Sequence, residues 1–195
     1  MISELAGDLK NKSVLITAAA GGVGSLLVQL AAEQGAKVFA ACSSQEKLQV
    51  AKTHGAAVLI DYSLPNWPSA VKAANDELGI DLLFETTGGN VYNEAVKLLS
   101  PGGHVVVYGC ASGVQGNIHP EYFVDENLTQ SGFNLAYYIT QKTNRWQLAL
   151  GTLINKIIEG QLKIHTTHSF TLAQVAEAHT LIEARKTTGK VILTI

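Results

Sequence analysis

Val14-Leu15-Ile16-Thr17-Ala18-Ala19-Ala20-Gly21-Gly22-Val23-Gly24 is the stretch that decides the fold. A short apolar strand runs here into a turn of small residues, and apolar residues at helical spacing follow. Small side chains let a ligand approach the backbone of the turn, and the start of the next helix offers free N–H groups to a phosphate. The spacing Ala19-x-Gly21-x-x-Gly24 matches the dinucleotide fingerprint with alanine in place of the first glycine. A glycine motif alone is weak, so its context must support it.

Strand and helix patterns alternate after this turn. Apolar runs, which are typical of parallel strands covered on both faces, predict strands over residues 13–17, 37–42, 57–60, 81–85 and 104–108. Helical spacing and cap residues predict helices between them, over residues 23–31, 45–54, 66–78 and 91–99. The alternation predicts an α/β fold, a Rossmann-type doubly wound parallel sheet of about six strands with helices on both faces.

The second half of the chain is less regular. Its patterns predict a loop over residues 111–128, a sixth strand over residues 128–135, an amphipathic helix over residues 146–158 and a final strand over residues 190–195. Another helix is predicted after a capping box of Thr171 and Gln174, with His179 on its buried side. No linker is recognisable, so we expect a single Rossmann-type domain over residues 1–195.

Composition and charge limit the classes of function. The chain has 195 residues, of which 47% are hydrophobic and 15% charged, and this fits a sheet that is buried on both faces. The net charge is −2 without long runs of one sign, so we expect no nucleic acid and no membrane as a partner. Cys42 and Cys110 suggest neither a disulfide framework nor a zinc site and are interpreted as small buried residues. With no signal-peptide pattern, a cytoplasmic location is expected.

The end of the second predicted strand indicates which cofactor is preferred. Domains that select NAD usually place Asp or Glu there to hold the ribose 2′-hydroxyl, whereas this chain has Cys42-Ser43-Ser44-Gln45-Glu46-Lys47. Hydroxyl side chains and a lysine favour a 2′-phosphate, and therefore NADPH over NADH. The alternative is that Ser43 or Ser44 caps the next helix and that Lys47 is a solvated surface residue.

Taken together, these motifs resemble a known family. The glycine turn, the Cys42–Lys47 stretch and Asp61-Tyr62 are similar to the cofactor domain of the zinc-free quinone oxidoreductases in the medium-chain dehydrogenase/reductase superfamily. The resemblance extends to Glu85-Thr86-Thr87-Gly88-Gly89, Gly102-Gly103-His104-Val105-Val106-Val107-Tyr108-Gly109 and Thr188-Gly189-Lys190-Val191. Cys42-Ser43-Ser44 and Gly132-Phe133-Asn134-Leu135 resemble the prostaglandin reductase 3 branch in particular.

The resemblance implies roles for individual residues. The pyrophosphate would be faced by Gly21, Gly22 and Val23. The phosphate on the adenosine ribose would be surrounded by Ser43, Lys47 and Tyr62. The path to the nicotinamide would be lined by Thr86 and Tyr108, and its ring would lie near Phe133, Asn134 and Leu135. Relatives often carry asparagine at the position of Thr187. Structural interpretations stay open, since Tyr62 could be a loop aromatic and Tyr108 a core residue at a strand end.

The resemblance also implies an activity, the reduction of quinones or α,β-unsaturated carbonyls by direct hydride transfer from NADPH without a metal. Family members carry a preceding β-rich domain that supplies much of the substrate pocket. We expect this domain to be absent here, and no catalytic residue is assigned. The expected partners are a small-molecule quinone or enone and a second copy of the chain, paired through edge strands. Two alternatives stay open, a non-catalytic NADPH-binding or sensing module and the enoyl-reductase segment of a polyketide synthase.

Two competing motifs are set aside. Tyr138 and Lys142 match the Tyr-x-x-x-Lys pair of short-chain dehydrogenases, but the serine expected upstream is absent because position 125 is Asp. The pair is interpreted as part of a surface turn. His165 and His168 have no third ligand near them in sequence, so no metal site is predicted.

Overall fold

The computed structural model describes residues 1–195. A single helical turn at Ile2–Ala6 precedes the first strand. Strands and helices then alternate in the order β1 (Ser13–Thr17), α1 (Gly24–Glu33), β2 (Lys37–Cys42), α2 (Gln45–Thr53), β3 (Val58–Asp61), α3 (Trp67–Ala74), β4 (Ile80–Glu85), α4 (Gly89–Val96), β5 (Leu99–Val107), α5 (Pro120–Asp125) and β6 (Thr129–Gly132). The remaining elements are α6 (Leu135–Gln141), α7 (Thr143–Ile158), β7 (Thr166–Thr171), α8 (Val175–Glu183) and β8 (Lys190–Thr194).

The main sheet has six parallel strands in the order β3-β2-β1-β4-β5-β6. In β1, Val14 and Ile16 pack into one core and Leu15 packs into the other, because successive side chains of a strand point to opposite faces. Helices α1 and α2 cover the first core, and α3 and α4 cover the second. The strand order is that of a doubly wound dinucleotide-binding sheet, so the predicted fold class is confirmed.

The turn between β1 and α1 is as tight as its small residues suggest. A Cβ on Gly24 would lie 2.3 Å from the carbonyl oxygen of Ala18, a distance that no side chain could tolerate without a shift. Ala18 itself has a φ of 49°, in the left-handed region. Gly24 therefore allows α1 to begin directly against the end of β1, which aims the start of the helix at the carboxyl edge of the sheet.

The last strand does not join the main sheet. Strands β7 and β8 form a separate two-stranded parallel sheet. The residue just before β8, Gly189, donates its N–H to the carbonyl oxygen of Ala20 at 2.8 Å and forms an isolated bridge with Gly21. The chain therefore returns at its end to the glycine turn.

Several predicted boundaries differ from the structure. The segment predicted as a loop contains α5, and the sixth strand is limited to Thr129–Gly132. The side chain of Asn134 accepts the N–H of Tyr137 at 3.2 Å, and this cap starts α6 at Leu135 where the strand was expected to continue. Cys42 is buried as expected, but Cys110 is exposed.

The later helices also differ in burial from the predictions. Helix α7 confirms the amphipathic helix, although none of its residues is buried. The capping box of Thr171 and Gln174 is present, but His179 on α8 is exposed and not part of the core. None of the helices is both long and apolar enough to cross a membrane.

Candidate functional site

The residues predicted to bind a cofactor follow the ends of successive strands. Ser43 follows β2, Tyr62 follows β3, Thr86 follows β4, Tyr108 follows β5 and Phe133 follows β6. Because the strands are parallel, their carboxyl ends share one edge of the sheet. The glycine turn after β1 lies at the same edge, so the fold gathers residues that are far apart in sequence along one line.

Part of this line surrounds a cavity of about 170 Å³. Four of the predicted residues line the cavity, namely Gly21, Ser43, Lys47 and Tyr62. The rest of its wall is formed by Ala18, Ala20, Cys42, Thr87, Ala111, Ile182, Arg185 and Thr187. The cavity contains a glycine-turn residue, two cations and several hydroxyl groups, which is suitable chemistry for a phosphorylated ligand.

Hydrogen bonds hold Lys47 at the cavity. Its ammonium group donates to Ser43 Oγ at 3.2 Å and to the carbonyl oxygen of Arg185 at 2.6 Å. The cap of α2 is Ser44, whose Oγ accepts the N–H of Lys47 at 3.4 Å. The alternative of a capping serine therefore applies to Ser44, and Ser43 faces the cavity together with a half-buried lysine.

Arg185 is the charged residue of the cavity that the sequence analysis missed. It lies just after α8 with a φ of 55°, and its guanidinium donates to the carbonyl oxygen of Ala111 at 3.5 Å. Neither Arg185 nor Lys47 has a carboxylate within 4.0 Å, so both positive charges are available to an anion. Thr187 also lines the cavity.

Two hydroxyl groups of the wall have no charged partner. Burial raises the pKa of Tyr62, so its phenol stays protonated near neutral pH and can donate a hydrogen bond. Thr87 Oγ1 is buried and has no hydrogen-bond partner in the structure. A buried polar atom without a partner carries a free-energy cost, which a polar ligand in the cavity would remove.

Glu85 organises the turn that follows β4. It is fully buried, and its Oε1 accepts the N–H groups of Thr87 at 2.7 Å and Gly88 at 3.0 Å as well as the hydroxyl of Thr17 at 3.3 Å. Burial raises the pKa of this carboxyl group. The N–H of Thr86 donates to Thr17 Oγ1 at 3.1 Å, which fixes the start of the same turn. Glu85 thus sets the position of the Thr86 and Thr87 backbone.

The predicted nicotinamide-side residues do not line the cavity. Tyr108 packs against the first core, its hydroxyl is buried without a partner, and burial together with the charge of Glu85 raises its pKa. Phe133 stacks on Tyr138 with ring centroids 4.7 Å apart, and Asn134 caps α6. Val23, Gly22 and Thr86 lie at the same sheet edge but outside the cavity, as does Leu135 at the start of α6.

The two competing motifs take other positions. Tyr138 lies within α6 and Lys142 follows that helix, so the pair belongs to a helix and not to a turn. The ring of His165 packs edge to face on that of His54 at 5.4 Å, while His168 lies in β7. No group of three or more His, Cys, Asp or Glu side chains in residues 1–195 could hold a metal ion.

Comparison with known proteins places this site in a family. The family model described as "Zinc-binding dehydrogenase" matches residues 22–155. The chain belongs to this family. Among its relatives, "Quinone oxidoreductase-like protein 2" of Bos taurus is 30% identical over 185 residues, which cover 94% of this chain and 53% of that protein. The chain therefore spans about half the length of the curated relatives it matches, and its resemblance to the quinone oxidoreductases is confirmed.

Two further matches bear on the site of this family member. A mycobacterial protein whose structure was solved as a complex with NADPH superposes with a TM-score of 0.91 at 25% identity, covering 100% of this chain and 60% of that one. "Highly reducing polyketide synthase 40" of Fusarium pseudograminearum is 29% identical over 187 residues, which cover 94% of this chain and 7% of that protein. The second match keeps the polyketide synthase alternative open.

Proposed function

We propose that this chain is the NADPH-binding part of an oxidoreductase that reduces quinones or α,β-unsaturated carbonyls. The observation that carries the proposal is the pair of unpaired cations, Lys47 and Arg185, beside Ser43 in a cavity that begins at the glycine turn. A 2′-phosphate on the adenosine ribose would bring negative charge to this pair. NADH lacks that phosphate, so the pair favours NADPH.

An NAD-selective site needs a carboxylate that is free to accept a hydrogen bond from the ribose 2′-hydroxyl, and the nearby carboxylate of Asp61 is already bonded within its own turn. Asp61 ends β3 next to Cys42 in register, but its Oδ1 accepts the hydroxyl of Ser63 at 2.6 Å and the N–H of Ser63 at 3.0 Å. These bonds hold the carboxylate within its own turn. The ribose end of the cavity therefore presents donors and cations, and this supports the phosphorylated cofactor.

Different residues of the chain would bind different parts of the cofactor. Gly21, Gly22 and Val23, with the start of α1, would hold the pyrophosphate, because this turn combines close backbone approach with a helix N-terminus. Thr86 and Tyr108 would lie towards the nicotinamide, on a turn that Glu85 fixes, with Phe133, Asn134 and Leu135 farther along the sheet edge.

When bound, NADPH supplies a hydride to an activated carbon of the substrate, and the proposed reaction uses no metal. A preceding β-rich domain, carried by other members of the family, would complete the substrate pocket, and residues 1–195 would form the cofactor domain. We further propose that the protein forms a homodimer through β6, because β6 is an edge strand of the main sheet. The proposed location is the cytoplasm.

The test is a titration of the purified protein with NADPH and NADH. Lys47→Met and Arg185→Met should each weaken NADPH about tenfold, as expected for one charge-assisted contact, and should leave NADH almost unchanged. Lys52→Met removes an exposed cation from the end of α2 and serves as the matched control. Absence of NADPH binding by the unaltered chain would refute the proposal, and equal losses for both nucleotides would refute the phosphate contact.

Two other functions share the cofactor site. Because the proposed substrate pocket needs the preceding β-rich domain, the alternatives are distinguished with residues 1–195 joined to that domain. A non-catalytic NADPH-binding or sensing module would then bind NADPH but oxidise none of it with a panel of quinones and enones. An enoyl-reductase segment, as the polyketide synthase match suggests, would instead consume NADPH with an α,β-unsaturated thioester. Oxidation of NADPH with quinones or simple enones supports the first proposal over both alternatives.

A further inference from the structure

Two histidine rings form a contact between α2 and the start of the β7–β8 sheet. His54 caps the end of α2, His165 directly precedes β7, and their rings meet edge to face with centroids 5.4 Å apart. Nε2 of each ring is buried and has no hydrogen-bond partner. Neither the fold nor the proposed cofactor contacts use these two imidazoles, so a titratable pair lies without an assigned role at the junction of the two sheets.

The surroundings of the pair favour its neutral form. Neither ring has a carboxylate within 4.0 Å of its nitrogens. The charged side chains at the adjoining ends of α1, α2, β7 and β8 are Glu33, Lys52, Lys163 and Lys190. The one acid among them, Glu33, is paired with Lys156. Burial lowers the pKa of His54, and the neighbouring His165 and Lys163 lower it further. A proton on either ring would therefore meet other positive charge and no acceptor.

The backbone of His165 joins this pair to the glycine turn. Its carbonyl oxygen accepts the N–H of Lys190 at 2.8 Å, and Gly189 packs so closely on the same oxygen that no Cβ could be accommodated there. Gly189 in turn donates its N–H to the carbonyl oxygen of Ala20 at 2.8 Å. Arg185 and Thr187, which precede Gly189, line the cavity. A displacement of His165 therefore reaches the segment that closes the proposed cofactor site.

We propose that the His54–His165 pair is a pH-sensitive contact that controls the affinity of the cofactor site. In its neutral form, the pair holds the start of β7 against α2. In mild acid the pair takes up a proton, the charged ring moves out to water, and residues 185–190 lose their fixed position beside the glycine turn. The inference rests on the proposed function, since it concerns affinity for the dinucleotide. By linkage, a bound dinucleotide makes the pair harder to protonate by the same factor.

The experiment measures NADP⁺ binding to the purified chain at pH 7.5 and pH 5.5, because the oxidised dinucleotide is stable in mild acid. The double variant His54→Phe, His165→Phe keeps two packed rings but cannot take up a proton. Between these pH values the unaltered chain should lose about three to ten times more affinity than the double variant, since a pKa that differs by about one between free and bound protein changes affinity by at most about tenfold. Protonation of the nucleotide's own 2′-phosphate affects both proteins alike and cancels in this ratio.

The matched control is His179→Phe, which removes an exposed histidine of α8. It should lose as much affinity in acid as the unaltered chain does. Circular dichroism at both pH values checks that each protein is folded. A second measurement needs no variant: in an NMR titration of the histidine ring protons of the unaltered chain, NADP⁺ should lower the pKa of His54 or His165 and leave that of His179 unchanged.

Several outcomes overturn the inference. If the unaltered chain and the double variant show the same pH dependence, or if NADP⁺ raises or does not change the pKa of both rings, the inference fails and the proposed function stands. If His179→Phe also removes the pH dependence, the effect is one of net charge and the inference fails in the same way. If the unaltered chain binds no NADP⁺ even at pH 7.5, the proposed function fails and the inference fails with it.

Discussion

Replacing Gly24 by alanine tests whether the glycine turn is set by the contact between α1 and β1. The added Cβ would lie 2.3 Å from the Ala18 carbonyl oxygen, 2.8 Å from the Cα of Ala19 and 3.0 Å from the carbonyl carbon of Ala18. All three are backbone atoms of the turn, so only a shift of the helix or of the turn can relieve the overlap. Overpacking of this kind costs about 1–3 kcal/mol, and we expect the upper end here because no flexible group can move aside.

Gly22→Ala is the matched control two residues earlier. The three atoms nearest to its Cβ would all belong to the Lys190 side chain, which can rotate away, so we expect a change in stability below about 0.5 kcal/mol. Urea unfolding followed by circular dichroism measures both variants, and Gly24→Ala should unfold at a clearly lower urea concentration with an unchanged slope. If the two variants unfold at the same midpoint, close approach of backbone is not what requires glycine at position 24.

Three further predictions concern titratable groups. Because burial raises the pKa of Glu85, the folded state holds its proton at a higher pH than the unfolded chain, and its ionisation lowers stability as pH rises above about 4.5. Glu85→Gln should remove this slope in urea unfolding at several pH values, whereas Glu85→Leu, which leaves the N–H of Thr87 unpaired, should cost about 2 kcal/mol or more. Burial lowers the pKa of His54, so the unfolded chain binds more protons and stability should fall below pH 6.5; His54→Leu should flatten that fall, and an unaltered slope would contradict it. A thiol reagent at pH 8 should modify the exposed Cys110 and spare Cys42, whose pKa burial raises to about 11, so one thiol reacts in the folded chain and two react in urea.

The part of the site that lies close in sequence was predictable. An apolar run followed by small residues and then by apolar residues at helical spacing is typical of a strand, a tight turn and a helix. The sequence of this stretch therefore predicts β1, the turn and α1 by itself. Ser43 and Tyr62 were found for a related reason, since each comes directly after a strand and parallel strands end at one edge. Local pattern and topology were enough for these residues.

Arg185 and Lys190 could not be placed in the same way. Their positions depend on the hydrogen bond from Gly189 to Ala20, a contact between the two ends of the chain that no local pattern encodes. The predicted end of β6 was wrong for a different reason. The residues Phe133 and Asn134 can either continue a strand or precede a capped helix. The outcome was decided by the hydrogen bond between Asn134 and Tyr137, which competes with further pairing along β5.

One segment of the chain reaches both the cavity and the glycine turn. Arg185 and Thr187 line the cavity, and Lys190 lies over Gly22, so residues 185–190 supply groups on both sides of the Gly189 contact with the turn. The attached β7–β8 sheet has only two strands, and such a sheet has little independent stability. The packing of this small sheet against the main sheet therefore depends on contacts such as the hydrogen bond from Gly189 to Ala20. A dinucleotide that bridges the glycine turn and this segment would add contacts to the same junction, so cofactor binding and the docking of β7–β8 are expected to stabilise each other.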